Sequence, residues 1–461
     1  MLTGGGDRIL NECRYGYFPR WSNEKYVANV PGAGDRQMSD RQAAAGTPEG
    51  QGPVEIDDEL ARHLSNKRAD LFEKFEIPDG FPPAVLEEAK TMAEDVTGEI
   101  RGELDSRTDL RQVPTWTTDP IDAQDFDDAL SIEEHDDHYV LWVHIADVTH
   151  YVTPDSAMWE EARRRGNTVY LPGYTVHMLP STLAETVCSL VPKEDRLAHT
   201  VEMKLDRETL GYDSIDIYKS VIHSDERLTY TETEHRLDDA GTPLHDELSL
   251  VWEVADRLHE QRKEDGSLVL NPRRDRAHTI IEECMLKANK AVTHELMWNR
   301  GVEAMYRVHP QPSPQEWDKA LREIQELEGV SIPSDSLDDP RKAVNATLEE
   351  APERQLSKIQ RAVMRVMPRA SYMSDPFGGH HALNFEIYGH FTSPIRRLSD
   401  LINHWIVHSH EIPSDLATLC DHASERQKAA EQCEREYKTF LREVDLDPYA
   451  VNNRGLEVID D

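Results

Sequence analysis

The chain is predicted to fold as an α+β protein, on three observations. Strand patterns gather between residues 129 and 223, and helical patterns dominate from about residue 246 onward, an order that segregates the two element types. The composition is 38% hydrophobic, low but sufficient for a core. Trp, Tyr and β-branched residues are spread throughout, unlike in disordered chains.

Taken in order, residues 1–37 stand apart. They carry four acids (Asp7, Glu12, Glu24, Asp35) against five bases (Arg8, Arg14, Arg20, Lys25, Arg36), whereas the whole chain has a net charge of −37. Residues 1–54 are read as an N-terminal extension, with 38–54 a flexible tail. Residues 55–104 form a helical lead-in. Leu60, Leu64 and Leu71 mark a first helix over 56–74. Pro83 opens a second helix, where proline is tolerated, and Val85, Leu86, Ala89, Met92 and Ala93 give it an apolar stripe.

Strands follow at 129–132 and 139–148, split by a polar turn at 134–138. Tyr139, Leu141 and Val143 alternate as in a sheet with one half-buried side. A helix at 159–165 precedes strands at 199–205 and 214–223, the latter with Ile215, Ile217 and Val221 facing one way. Helices are expected at 246–263, 279–298, 314–328, 353–367, 394–410 and 414–442, followed by an acidic tail over 446–461. The main domain is placed at 105–445.

The densest chemistry lies just before the first strand. Asp119-Pro-Ile-Asp122-Ala-Gln-Asp125-Phe-Asp127-Asp128 sets five carboxylates within ten residues. Such a cluster is self-repelling unless a cation sits within it. Mg²⁺ prefers a few carboxylates together with waters and phosphates, and two such ions can clamp the oxygens of a phosphodiester. With 88 acidic residues in 461, surface decoration would also produce clusters. A calcium loop fails, because the sixth and twelfth positions from Asp119 hold Gln124 and Leu130 instead of Gly and Glu.

A second stretch is His390-Phe-Thr-Ser393-Pro394-Ile395-Arg396-Arg397. Ser393 is a good N-cap and Pro394 a good first helical residue. A helix start bearing two arginines would attract an anion, and arginine grips phosphate bidentately. An ordinary capped helix with surface arginines accounts for the same residues. His380, His381 and His390 are read as turn and core histidines rather than ligands. An acid cluster suited to metal and an arginine turn suited to phosphate together suggest metal-assisted phosphodiester hydrolysis.

The five cysteines (Cys13, Cys188, Cys284, Cys420, Cys433) form no CxxC pair, so they are expected as free thiols in a reducing compartment. No apolar run approaches a membrane span, and no signal-peptide pattern opens the chain. A cytoplasmic location is therefore expected. The negative charge points to a salt-accumulating halophile. At molar salt the Debye length is about 3 Å, so the field of the chain scarcely repels a polyanion.

The two stretches resemble the catalytic signatures of the ribonuclease II / ribonuclease R family. Tyr170-Leu-Pro, Met178-Leu-Pro, Cys188-Ser-Leu, Asp195-Arg-Leu and Ile281-Glu-Glu-Cys-Met-Leu lie between them in the family's order, and the likeness covers about 78–442. The resemblance implies an RNB-type catalytic domain with a mixed or antiparallel sheet and surrounding helices. It implies 3′→5′ hydrolysis of single-stranded RNA to nucleoside 5′-monophosphates by a two-metal-ion mechanism, with Mg²⁺ or, as the other candidate, Mn²⁺.

By motif, Asp119, Asp125, Asp127 and Asp128 would hold metal, and Asp127 would be the most critical for chemistry. Arg396 would stabilise charge on the scissile phosphate. Tyr170, Arg396, Arg397 and Glu431 would contact RNA. The family's second clamp aromatic falls at Leu270, and Leu398 stands where a Tyr usually follows the arginines. Cold-shock and S1 barrels are expected to be missing, with weaker RNA capture or a separate RNA-binding partner as the consequence. The competing readings are an RNA-binding protein with little catalysis and a nuclease acting on DNA or short oligonucleotides.

Overall fold

A computed structural model describes residues 53–333 and 338–458. The expected extension over 1–37, most of the 38–54 tail and Cys13 lie outside the described residues. A seven-stranded mixed sheet organises the molecule. Its strands run in the spatial order Glu226–Thr229, Trp116–Asp119, Asp128–Glu134, His138–Ala146, Asp195–Asp206, Tyr212–His223 and Thr108–Asp109. The four central pairings are antiparallel, and the two outermost are parallel. Leu130 faces Val143, Val143 faces Val201, and Val201 faces Ile217 across successive strands. The described residues form no barrel; the remaining strands make three two-stranded sheets.

The strand His138–Ala146 is buried along both faces from Tyr139 onward, so the sheet is covered more fully than the alternation implied. A polar ladder crosses it without exposing it. His144 is fully buried and meets Ser131 Oγ at 3.1 Å and Thr200 Oγ1 at 2.8 Å, and Thr200 meets Ser220 Oγ at 2.6 Å. Buried polar groups are tolerated when paired in this way. Burial alone pushes the His144 imidazole down to about 3.

Helices cover the sheet, notably His245–Glu264, Arg276–His294 and Leu398–Ser409. A second core gathers Trp317, Val344, Leu348, Ile359 and Val363 from the helices Pro314–Gln325, Pro340–Glu350 and Glu353–Val366. Leu270 packs against this core. A third core joins the helix Asp58–Phe75 to the 28-residue helix Leu416–Glu443 through Leu64, Leu71, Tyr437 and Leu441. The lead-in is thus docked on the main domain. The stretch expected as an acidic tail carries a helix, Pro448–Arg454, and a strand, Leu456–Val458, parallel to Val54–Ile56. Cys188, Cys284, Cys420 and Cys433 are buried free thiols.

Candidate active site

The acidic stretch spans two neighbouring strands. Asp119 ends one, Asp128 begins the next, and Asp122, Asp125 and Asp127 lie on the loop between. Ser189 fastens this loop. Its hydroxyl accepts from the Phe126 N–H at 2.9 Å and donates to the Gln124 carbonyl at 3.1 Å. Arg196 in turn holds the Ser189 carbonyl at 3.0 Å, so the Cys188-Ser-Leu and Asp195-Arg-Leu motifs act together as a brace. The Ala146 N–H donates to the Asp127 carbonyl at 2.9 Å.

Asp127 is 2% exposed. Its Oδ1 accepts from the Ile395 N–H at 2.8 Å, and its Oδ2 accepts from Arg396 Nε at 3.2 Å. Arg396 also donates to Ser393 Oγ at 3.0 Å and stays 30% exposed towards the cleft. The helix expected over 394–410 begins only at Leu398. Residues 393–397 form a turn in which the Arg396 and Arg397 N–H groups donate to the Ser393 carbonyl. Asp400 causes the delay. Its buried carboxylate accepts from the Ser393 N–H at 2.8 Å and from Arg397 at 2.6 Å. The anions at this turn are therefore Asp127 and Asp400, and the expected helix-terminus phosphate site does not form as read.

The two arginines part company. Arg396 faces the cleft. Arg397 is 5% exposed and ion-paired with Asp400, although it lines the cleft floor. Tyr170 donates its hydroxyl to Asp125 Oδ2 at 2.8 Å, and its N–H donates to Glu434 at 2.9 Å. Glu431 accepts from Gln427 at 2.9 Å and pairs with Arg369 at the rim. Asp119, Asp125, Asp127, Asp128, Tyr170, Arg396, Arg397 and Glu431 all line one cavity of about 520 Å³. Leu270 is not among its lining residues, and His390 Nδ1 instead meets the Tyr372 hydroxyl at 2.9 Å.

The charge state of the acids is unusual. Burial pushes Asp127 well above the usual carboxylate range. Arg396 pulls it back, and Asp125 and Asp128 add to the rise. Burial and the charge of Asp128 raise Asp119 against the pull of Arg227. Asp128 is raised to about 6 by burial, with Arg396 and Arg397 opposing. Asp119 Oδ2 is a buried oxygen without a hydrogen bond. Hard oxygen donors, short of positive charge and facing a cavity, fit a divalent cation with oxygen preference. Asp119, Asp125, Asp127 and Asp128 would hold it.

The set is open rather than a closed cage. Among the described residues, the trio of potential ligands whose donor atoms lie within 4.8 Å of one another is Glu99, Glu103 and His150. There the Arg107 guanidinium already contacts Glu103 and His150. An open acid set suits an ion that keeps waters and substrate phosphates.

Several cleft residues were not picked out from sequence. Arg227 donates to the Pro120 carbonyl and sits 5.4 Å from the Phe126 ring. Tyr230 stacks on His278 with centroids 3.7 Å apart, and Arg274 is ion-paired with Glu282 beside them. All but Arg227 line the cavity. Arg227 and Tyr230 come close to the acid loop because the strand Glu226–Thr229 pairs in parallel with Trp116–Asp119, placing Thr229 opposite Asp119. No local pattern announces such a pairing.

Fold and cleft define an α+β protein that presents a braced aspartate loop and Arg396 to an acidic pocket. Residues 107–411 match the RNB domain model, and the chain belongs to the RNB domain family. Ribonuclease R of Chlamydia pneumoniae is 34% identical over 375 residues, covering 75% of this chain and 54% of the relative. The chain thus spans about half the length of that relative. Mycoplasma genitalium RNase R, solved with ribose-methylated single-stranded RNA, superposes with a TM-score of 0.73 at 24% identity, over 82% of this chain and 64% of that one. Yeast Ssd1, described as a pseudonuclease, superposes with a TM-score of 0.64 at 23% identity, over 73% and 45%. These two solved structures share the fold.

Proposed function

We propose that this chain is a hydrolytic 3′→5′ exoribonuclease that shortens single-stranded RNA and releases nucleoside 5′-monophosphates with a divalent cation, Mg²⁺ first among candidates. The observation that carries the reading is Asp127. A buried carboxylate is held by a backbone N–H and by Arg396 at the floor of a cavity lined by four further aspartates. Family membership and relatives named Ribonuclease R support it. The acids that a pseudonuclease could discard are all in place.

In the reaction, water adds to phosphorus at the 3′-terminal phosphodiester. The P–O3′ bond breaks, and the proton goes to the departing 3′-oxygen. Cations at the four aspartates would supply Lewis acidity towards the phosphate and a source of hydroxide at neutral pH. Asp127 fixes the orientation of Arg396, and Arg396 offers its remaining donors to the phosphate where charge develops. Tyr170 and Glu431 flank the place of the terminal nucleotide, the ring by stacking and the carboxylate by accepting hydrogen bonds.

The test is digestion of a 5′-labelled single-stranded RNA with Mg²⁺ at molar KCl, beside a DNA of the same sequence and the variant Asp127→Asn. A ladder shrinking from the 3′ end on RNA, with 5′-monophosphates released and the variant inactive, is expected. Binding of RNA without cleavage by the native chain would assign it a non-catalytic role. Equal digestion of DNA would remove RNA from the description.

A further inference from the structure

We propose that residues 447–458 are a clamp that positions the acid loop and the Tyr170 hairpin, with Asn452 as its contact residue. The catalytic consequence rests on the exoribonuclease reading above; the mechanical one rests on geometry alone.

Asp447 caps the helix Pro448–Arg454, its side chain accepting from the Tyr449 N–H at 3.1 Å. The helix touches two separate parts of the cleft. On one side Asn452 Nδ2 donates to Asp122 Oδ2, and both residues line the cavity. On the other, Val451 is fully buried against the tip of the hairpin Val169–Leu171/Tyr174–Val176. The tip is Gly173, with φ +73°, and a Cβ there would lie 3.2 Å from Val451 Cγ1. Glycine permits both the backbone conformation and the approach. Tyr170 on that hairpin reaches Asp125 on the acid loop. The helix, the hairpin and the loop therefore close a triangle around the end of the cavity.

The clamp is itself anchored at both ends. The Leu446 N–H donates to the Leu441 carbonyl at 2.8 Å, tying it to the long helix Leu416–Glu443. Leu456–Val458 pairs with Val54–Ile56, and the Val54 N–H donates to the Gly455 carbonyl at 3.0 Å. The far half of the acid loop is fixed by Ser189. The near half, where Ile121 is 55% exposed, is held by Arg227 at Pro120 and by Asn452 at Asp122.

Asn452→Ala in the full chain tests this, because the half-buried side chain faces the cavity and its loss leaves the buried Val451 in place. Amide hydrogen exchange over 121–125 is expected to quicken about three- to tenfold, the scale of one ordinary hydrogen bond, while the 416–443 helix is unchanged. Asn452→Ala is expected to lower kcat by a similar factor with little change in KM. In an Asp122→Ala background it should do nothing further, as a direct pair requires. Asn452→Asp, which sets a second carboxylate against Asp122, should exceed Asn452→Ala in both readouts. Unaltered exchange, or additive effects of the Asp122 and Asn452 substitutions, would overturn the clamp. If the native chain cleaves no RNA, the functional reading fails while the exchange data still decide the clamp.

Discussion

Two buried aspartates sit twenty residues apart, at the same end of the paired strands Asp128–Glu134 and His138–Ala146, and they behave in opposite ways. Asp147 is 1% exposed and Asp127 is 2% exposed. Asp147 meets Arg107 at 2.8 Å, His199 at 3.1 Å and Lys219 at 3.7 Å. Burial alone would raise its carboxyl, but His199, Arg107 and Lys219 outweigh burial and hold it well below the usual range. Asp127 has one arginine, two like-charged neighbours and a carboxyl held above that range. Burying a charge is tolerable when it is matched. The cluster around Asp147 is matched within the protein, whereas the cleft is left short of positive charge. That shortfall marks the functional site more clearly than acid density does.

The largest effects should separate the two sites. Asp127→Asn is expected to reduce RNA cleavage by at least about 10³-fold, the scale of losing a principal transition-state interaction, while leaving the thermal midpoint equal or higher. Asp147→Asn should do the reverse. Breaking a matched buried cluster costs about 3–5 kcal/mol, read as a lower urea midpoint, with kcat in the surviving folded fraction little altered. A destabilised Asp127→Asn protein would break the comparison.

The adjacent arginines offer the next contrast. Arg396→Ala removes the cleft-facing guanidinium and should cost about 10²–10³ in kcat at nearly native stability. Arg397→Ala strands Asp400 in the interior and should destabilise by roughly 3 kcal/mol or more. Steady-state kinetics beside urea melts would settle which arginine does which. Loss of activity without loss of stability in Arg397→Ala would give it a direct role instead.

A smaller effect follows from proton linkage. Asp119, Asp127 and Asp128 have folded pKa values above their unfolded ones, with Asp128 at about 6. Between about pH 4 and pH 6 the folded state then binds more protons than the unfolded one, so their contribution to stability falls as pH rises. Asp147 works with the opposite sign; its contribution is present above about pH 4 and is lost as pH drops further. Metal-free protein should therefore lose on the order of 1–3 kcal/mol across pH 4–6 through the cleft acids. Asp128→Asn should remove part of that fall. Mg²⁺ at a hundred times its Kd should restore about 2.7 kcal/mol at pH 7. Urea midpoints that ignore both Mg²⁺ and Asp128→Asn would count against a cation site.

What was legible in the sequence follows the same division. The acid loop could be read because its five aspartates in ten residues stand in a stretch that resembles a family signature, density alone leaving surface decoration open, and the strands around it because their alternation is local. Arg396 could be read from its motif. The late helix start could not, because it depends on Asp400 turning back to the Ser393 N–H and Arg397. Arg227 reaches the acid loop, and Tyr230 the cleft, through a parallel strand pair separated by about 110 residues in sequence, Trp116 to Glu226. The helix Pro340–Glu350 shows only Ala343, Val344, Ala346 and Leu348 as apolar residues, and its burial comes from distant partners. Asn452 is one of two adjacent asparagines in a stretch that reads as an acidic tail, and only the fold brings it to Asp122.

Tyr170 gives the finest test, because it belongs to both halves of the argument. Its ring faces the cavity, and its hydroxyl donates to Asp125. Burial and the charge of Asp125 hold that phenol well above its ordinary pKa, so it stays a donor throughout the working pH range. Tyr170→Leu removes the stacking surface and should weaken binding of a single-stranded RNA in the Asp127→Asn background by about 1–3 kcal/mol. Tyr170→Phe keeps the ring and should bind within about 1 kcal/mol of the parent. The same Phe variant frees Asp125 from its donor. In the active chain it should therefore change the Mg²⁺ concentration needed for half-maximal cleavage more than it changes RNA affinity. Equal RNA affinities for the Leu and Phe variants would mean that the ring does not stack, and that Tyr170 serves the acid loop alone.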